Sequence, residues 1–167
     1  VKRQPPSSTF KKVVLVRVDR NSEQGYLDPA QLGHGDSIDL LTLSGEHQAV
    51  PLKQVKSVYF VRDFNGPFEP ARKAFLSRPR QEGLWVSLRF IDGDQLEGIV
   101  PNDLLTLLER GIHITPPDMN GNSLRVFIPR AALAEFRVLG VVGAARRTRQ
   151  PTAASAGPQR ELFEPQK

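Results

Sequence analysis

The segment from Val50 to Val61 lies over the segment from Ile128 to Leu139 without a gap, and no other feature of the chain restricts its fold as strongly. Each copy carries Pro at its second position (Pro51, Pro129), apolar residues at Val55/Leu133 and Val58/Phe136, and then an alternating run. Proline has no amide to give a ladder, so each Pro ends one strand and a one-turn connection starts the next. The beginnings of the two halves agree as well. Val13 to Val18, a polar turn from Asp19 to Gln24 and Gly25-Tyr26-Leu27 correspond to Leu84 to Ile91, Asp92-Gly93-Asp94 and Gln95 to Val100, with Gly98 in the place of Gly25. Val86, Leu88 and Phe90 alternate with Ser87 and Arg89, the period of a half-buried strand, and Asp92-Gly93 is a hairpin signal. A Gly inside such a strand marks a sharp bend. The third strands are Ser37–Leu43 and Gly111–Thr115. Two copies of five short strands are therefore expected, an all-β chain of two tandem, strongly bent small barrels.

Composition places the boundaries. The apolar fraction is 39%, low for one packed globule, and the shortfall falls at the ends. Residues 1–9 and 144–167 are rich in Pro, Ser, Gln, Ala and Arg and read as disordered tails. The first barrel is expected over 10–62, a connector over 63–83 and the second barrel over 84–143. Pro70 to Leu76 in the connector reads as a short helix with Pro in its first turn. There is no cysteine, which excludes disulfides, thiolate metal sites and cysteine nucleophiles. No apolar run is long enough to span a membrane and no secretory h-region opens the chain, so the expected location is cytoplasmic.

The stretch Val86 to Val100 with its Asp92-Gly93 turn and Leu96-x-Gly98, the Leu-rich segment after it, and Arg130 to Phe136 resemble the Sm/Hfq-like family of small bent barrels. The likeness covers most of the second half and, more loosely, the first. It implies an SH3-type five-stranded barrel and, as a function, RNA binding. Bacterial RNA chaperones of that family carry a Tyr-Lys-His triplet, and the corresponding residues here are Pro129, Arg130 and Ala131, so only the basic residue survives. A second likeness, Ser22-Glu23-Gln24-Gly25 after the basic Arg17 and Arg20, is to the PilZ barrel and implies cyclic-dinucleotide binding, with Arg20 where that family has Asp or Asn.

No catalytic signature is present, and the chain reads as a non-enzymatic binding or scaffolding protein without cofactor or metal. His34, His47 and His113 stand apart, none at ligand spacing with another His. His34 belongs to a turn, and His113, between Ile112 and Ile114, is expected to face solvent. Asp92 and Asp94 suit a tight turn for backbone reasons.

The positive charge is at the ends. Residues 1–12 carry a net +4 and residues 144–167 a net +3, which leaves −2 for the remainder of a chain whose total is +5. Lys11, Lys12, Arg130, Arg146, Arg147 and Arg149 are the candidates for contact with the phosphates of RNA or single-stranded DNA; the bland alternative for the arginine run is a solubilising end. Gln159-Arg160-Glu161-Leu162-Phe163 looks like the Gln-x-x-Leu-Phe peptide by which bacterial replication proteins dock on the sliding clamp. Gln159, Leu162 and Phe163 are therefore candidates for binding a protein partner, and the alternative function is a protein-interaction adaptor that uses exposed strand edges together with this peptide.

Overall fold

The computed structural model describes residues 9–118 and 120–143. Ten strands account for about half of them: β1 (Lys11–Arg17), β2 (Ser22–Leu27), β3 (Ser37–Thr42), β4 (His47–Pro51), β5 (Val55–Val61), β6 (Gly83–Phe90), β7 (Gln95–Val100), β8 (Gly111–Ile114), β9 (Ser123–Pro129) and β10 (Leu133–Val142). The one α-helix among the described residues is α1 (Leu104–Leu108), in the Leu-rich segment between β7 and β8, capped by Asp103 on the Leu105 amide at 3.0 Å. No helix among them is long and apolar enough to cross a membrane.

The chain is all-β, and its strands form two antiparallel sheets, neither of which closes. One has seven strands in the order β4-β3-β2-β1-β5-β9-β8, and the other has three, β10-β6-β7. This corrects the picture of two self-contained barrels. β9 leaves the second half to pair along β5, with Val58 opposite Phe127 and Tyr59 opposite Val126, and so carries β8 into the larger sheet. A lone bridge, Ile99 to Thr115, is what still ties β7 to β8.

The pairing itself recurs. Val13 opposite Gly25 in the first half matches Val86 opposite Gly98 in the second, and Leu15 opposite Val58 matches Leu88 opposite Phe136. Tyr26 opposite Leu41 has its match in the Ile99–Thr115 bridge, and Ile38 opposite Val50 in Ile112 opposite Ile128. Even the bulge that pairs Arg17 with Val55 returns where Phe90 pairs with Leu133. Pro51 and Pro129 each end a strand, and a single 3-10 turn follows both, Leu52–Gln54 and Arg130–Ala132.

Two cores form, and the shared sheet divides them. β1, β5 and β9 are covered on both faces, so their alternate residues go to different sides. Val13, Leu15, Val58, Phe60 and Phe127 join Leu27, Ile38, Leu40 and Val50 on one face. Val14, Val16, Tyr59, Val61, Val126 and Ile128 meet Val86, Leu88, Phe90 and Leu96 of the three-stranded sheet on the other. This is why these segments read as near-continuous apolar runs, as doubly covered strands do.

The connector is ordered but holds no helix over Pro70–Leu76. Around Lys73 and Phe75 its backbone bonds β7: the Glu97 amide donates to the Lys73 carbonyl at 2.7 Å, and the Phe75 amide donates to Glu97 Oε2 at 3.0 Å. Phe75 then packs edge-on against Trp85, whose indole N–H shares the same carboxylate oxygen. Tertiary contacts of this kind override a weak local helix preference.

Gly25 is required by space. A Cβ there would lie 2.6 Å from the Leu41 carbonyl oxygen and 2.8 Å from Leu40 Cδ1. Gly25→Ala is expected to lower unfolding stability by about 1–3 kcal/mol, the usual cost of overpacking, as read from a shift of the urea midpoint at constant slope.

Candidate interaction surface

The charged groups nearest the junction of the two sheets neutralise one another. The Asp92-Gly93-Asp94 turn after β6 points both carboxylates at Lys56 of β5, whose Nζ lies 2.5 Å from each, and Arg20 adds a longer contact to Asp92 at 3.5 Å. Lys56 also sits 5.0 Å from the centre of the Phe90 ring. Burial lowers the Lys56 pKa, but the hydrogen bonds and charges of Asp92 and Asp94 outweigh it and the net shift is upward. For Asp94 the Lys56 hydrogen bond is the main cause of a lowered pKa; for Asp92 burial works the other way and Lys56 overcomes it. Arg20 reaches this cluster from a left-handed backbone, φ 71°. The cluster is a clasp between β5 and the β6–β7 turn. The enclosed space beside it, against Tyr59 and Lys73, is about 30 Å³, room for a water and not for a substrate. Burial pushes the Tyr59 phenol up to about 12, so it stays neutral at physiological pH.

The histidines do not converge, and no group of three potential metal-binding side chains exists among the described residues. His34 lies in an exposed turn, and His47 Nδ1 is 2.9 Å from Asp39 Oδ2. His113 corrects the expectation of a solvent-facing residue. It is half-buried, with ring centres 5.1 Å from Phe127 and 6.3 Å from Phe60, because the face of β8 opposite Ile112 and Ile114 is covered by the first half of the chain. Its Nδ1 has no hydrogen-bond partner. Burial, helped by the positive charge of Arg125, lowers its pKa to about 4.

Arg17 and Arg20, the basic residues of the PilZ-like stretch, are both engaged within the chain. Arg17 Nε bonds Glu23 at 2.6 Å and its Nη1 donates to Gln54 at 2.9 Å. The candidate phosphate-contacting residues are split. Lys12 donates to the Arg62 carbonyl at 3.4 Å and lies over Phe64. Lys11 and Lys12 share the edge of a groove with Phe10 and Arg125. Arg130 is exposed, but its Nε donates to the Glu109 carbonyl at 2.6 Å and its amide to the Arg110 carbonyl at 2.9 Å. It stands at the far end of β9 from Arg125, five residues or roughly 16 Å away. Arg146, Arg147, Arg149, Gln159, Leu162 and Phe163 lie outside the described residues.

The sequence reading names strand edges only in general, and the particular surface it does not single out is apolar. β10 pairs with β6 on one side and has no strand on the other among the described residues, so it is an edge there. Phe136 and Val138 stand opposite Leu88 and Val86, both fully buried, and therefore point to the core side of the sheet. They are nevertheless 38% and 49% exposed. Next to them α1 leaves Leu104, Leu105 and Leu108 in solvent, and Leu104, Leu107, Leu108 and Phe136 line a groove of about 400 Å³. The run Leu104-Leu105-Thr106-Leu107-Leu108 was a visible signal, since a five-residue helix can bury only one side of itself.

This is an all-β protein whose two open sheets share cores across one ladder and whose edge strands are unequal. The chain belongs to a family of unknown function, DUF6982, whose match spans residues 9–140 and thus β1 through nearly all of β10. No curated protein and no solved structure matches it.

His113 gives a pH test. Because the folded state lowers its pKa from 6.5 to about 4, the unfolded chain binds more protons in that window. His113 therefore favours folding fully above pH 6.5 and loses that contribution as pH falls towards 4. His113→Leu is expected to flatten the pH dependence of urea stability between those values; an unchanged slope would place its cause elsewhere.

Proposed function

We propose that the protein is a non-catalytic binding scaffold built from two copies of an Sm-like five-stranded unit, and that it takes up an extended protein segment along β10. The observation that carries this reading is the pair Phe136 and Val138: core-directed apolar side chains on a strand whose outer edge meets no other strand among the described residues. Partners that add a strand to a sheet edge take affinity from main-chain hydrogen bonds and specificity from alternate side chains. The repeated register and bulge support the two-copy reading. Carboxylates already matched by Lys56 and Arg20 suit a scaffold better than acid–base chemistry. In this reading the Gln159–Phe163 peptide is a separate docking element for a second protein.

Val138→Glu puts a charge on the edge without touching the larger core. Affinity capture from native cells is expected to lose the β10-dependent partners in this variant and keep them in Phe163→Ala. Recovery of the same partners by the Val138→Glu chain would end the reading.

A second reading, RNA or single-stranded DNA binding, draws support from Lys11, Lys12 and Arg125 gathered at one groove, with the arginine run as an added arm. It expects anisotropy of a labelled single-stranded RNA to report binding at low salt that weakens by about 0.7 log unit per log unit of salt for each neutralised phosphate. No binding at low salt would remove it.

A further inference from the structure

The middle of β10 carries opposite charges symmetrically about one aromatic residue. It reads Ala134-Glu135-Phe136-Arg137-Val138, and the register with β6 slips on either side of it, between Leu133 and Glu135 and between Val138 and Gly140. Bulges of this kind bend and twist a strand, so a straight neighbour can follow β10 only between them. The side chains of that stretch are sorted by face. Glu135 and Arg137 stand opposite Arg89 and Ser87, on the side away from the core, where Glu135 meets Arg89 at 3.2 Å and Arg137 at 2.5 Å. The Glu135 and Arg137 side chains are still 36% and 66% exposed, so both keep room for a further partner. On the other face Ala134 and Phe136 line the groove with Leu104, Leu107 and Leu108, and Val138 follows Phe136 on the same side.

We propose that β10 pairs with β10 of a second copy of this chain, antiparallel and about a two-fold axis at Phe136. The proposal rests on β10 being a docking edge, as argued above, and names its occupant. In an antiparallel pair related by a two-fold axis one residue faces its own copy, and here the charges decide which. Centred on Phe136, Glu135 of each copy stands opposite Arg137 of the other, and Ala134 stands opposite Val138. Centred one residue earlier or later, two glutamates or two arginines face each other, which is destabilising. Centred on Ala134 or Val138, both charged residues face apolar ones. Size agrees with charge. Val138 of each copy meets the smallest side chain of the stretch, Ala134, and so lies over the groove of about 400 Å³ that α1 and β10 line, while the two Phe136 rings meet at the axis. Two three-stranded sheets become one, β7-β6-β10 continued by β10-β6-β7 of the other copy, and the open amides and carbonyls of both edges are paired. Because the same surface serves both copies, the joint closes at two chains.

The test uses the full chain. Sedimentation velocity over rising concentration is expected to show a shift from one chain to two and nothing larger. Glu135→Arg makes both charged positions cationic and Arg137→Glu makes both anionic, so each variant alone is expected to self-associate at least about tenfold more weakly. Their equimolar mixture restores opposite charges at every facing pair and is expected to recover the two-chain species, a result that misfolding of either variant cannot give. A second arm leaves the charges in place. The chain has no cysteine, so Ala134→Cys and Val138→Cys introduce single thiols that face each other in this register, while each lies roughly 13 Å from its own copy. Under diamide, a disulfide-linked two-chain product is expected in their mixture and not from either alone. A chain that stays monomeric at all concentrations with no linked product, a two-chain species indifferent to both charge reversals, or linkage from one thiol variant alone overturns the proposal. If that happens while cellular capture still depends on Val138, β10 remains a docking edge for another protein. If capture is also independent of Val138, both readings fall together.

Discussion

The ladder between β5 and β9 holds the rest of the structure in place. It is the point at which two halves with the same internal pairing become one sheet, and it makes β5 a central strand covered on both faces. Val58 and Phe60 pack towards one core while Tyr59 and Val61 pack towards the other. A strand in that position is apolar at nearly every residue, so no polar side marks its period. The exceptions are Lys56, held by Asp92 and Asp94, and Ser57, which is buried within the packed strand.

The polar contacts follow from this joint. Once β9 lies against β5, the β6–β7 turn falls above Lys56, and two turn aspartates chosen for backbone reasons acquire a cation. Such a clasp, partly open to solvent, adds little net stability by itself. Its effect is on geometry, because separating the sheets would strand a half-buried lysine without partners. Asn122 works in the same way at the other end, accepting from the Asp63 amide and donating to the Asp63 carbonyl, which pins the exit from β5 to the entry of β9.

The repeat explains why the surface is uneven. Duplicated and joined once, the unit leaves β4 and β10 at sheet edges, besides β8 and β7, which a single bridge ties together. β5 and β10 descend from the same pattern, yet the first became interior and the second stayed rim, with α1 adding leucines beside it. An exposed apolar strip at a sheet edge is a feature that natural proteins usually cover or blunt.

Much of the fold was legible in the sequence. The gapless match of Val50–Val61 to Ile128–Leu139, the bend glycines and the prolines that end β4 and β9 all carry local information, because each depends on backbone sterics within a few residues. The number of strands and the one-turn connection after each proline followed from it. What the sequence could not contain was which strand lies beside which across the halves. That choice sent β9 to β5, opened the expected barrels into two sheets, covered His113 between two phenylalanines and left Phe136 and Val138 at the rim. Alternation along a strand tells which residues share a face, but only the neighbouring strand decides whether that face is buried, and here the neighbour lies some seventy residues away in the chain.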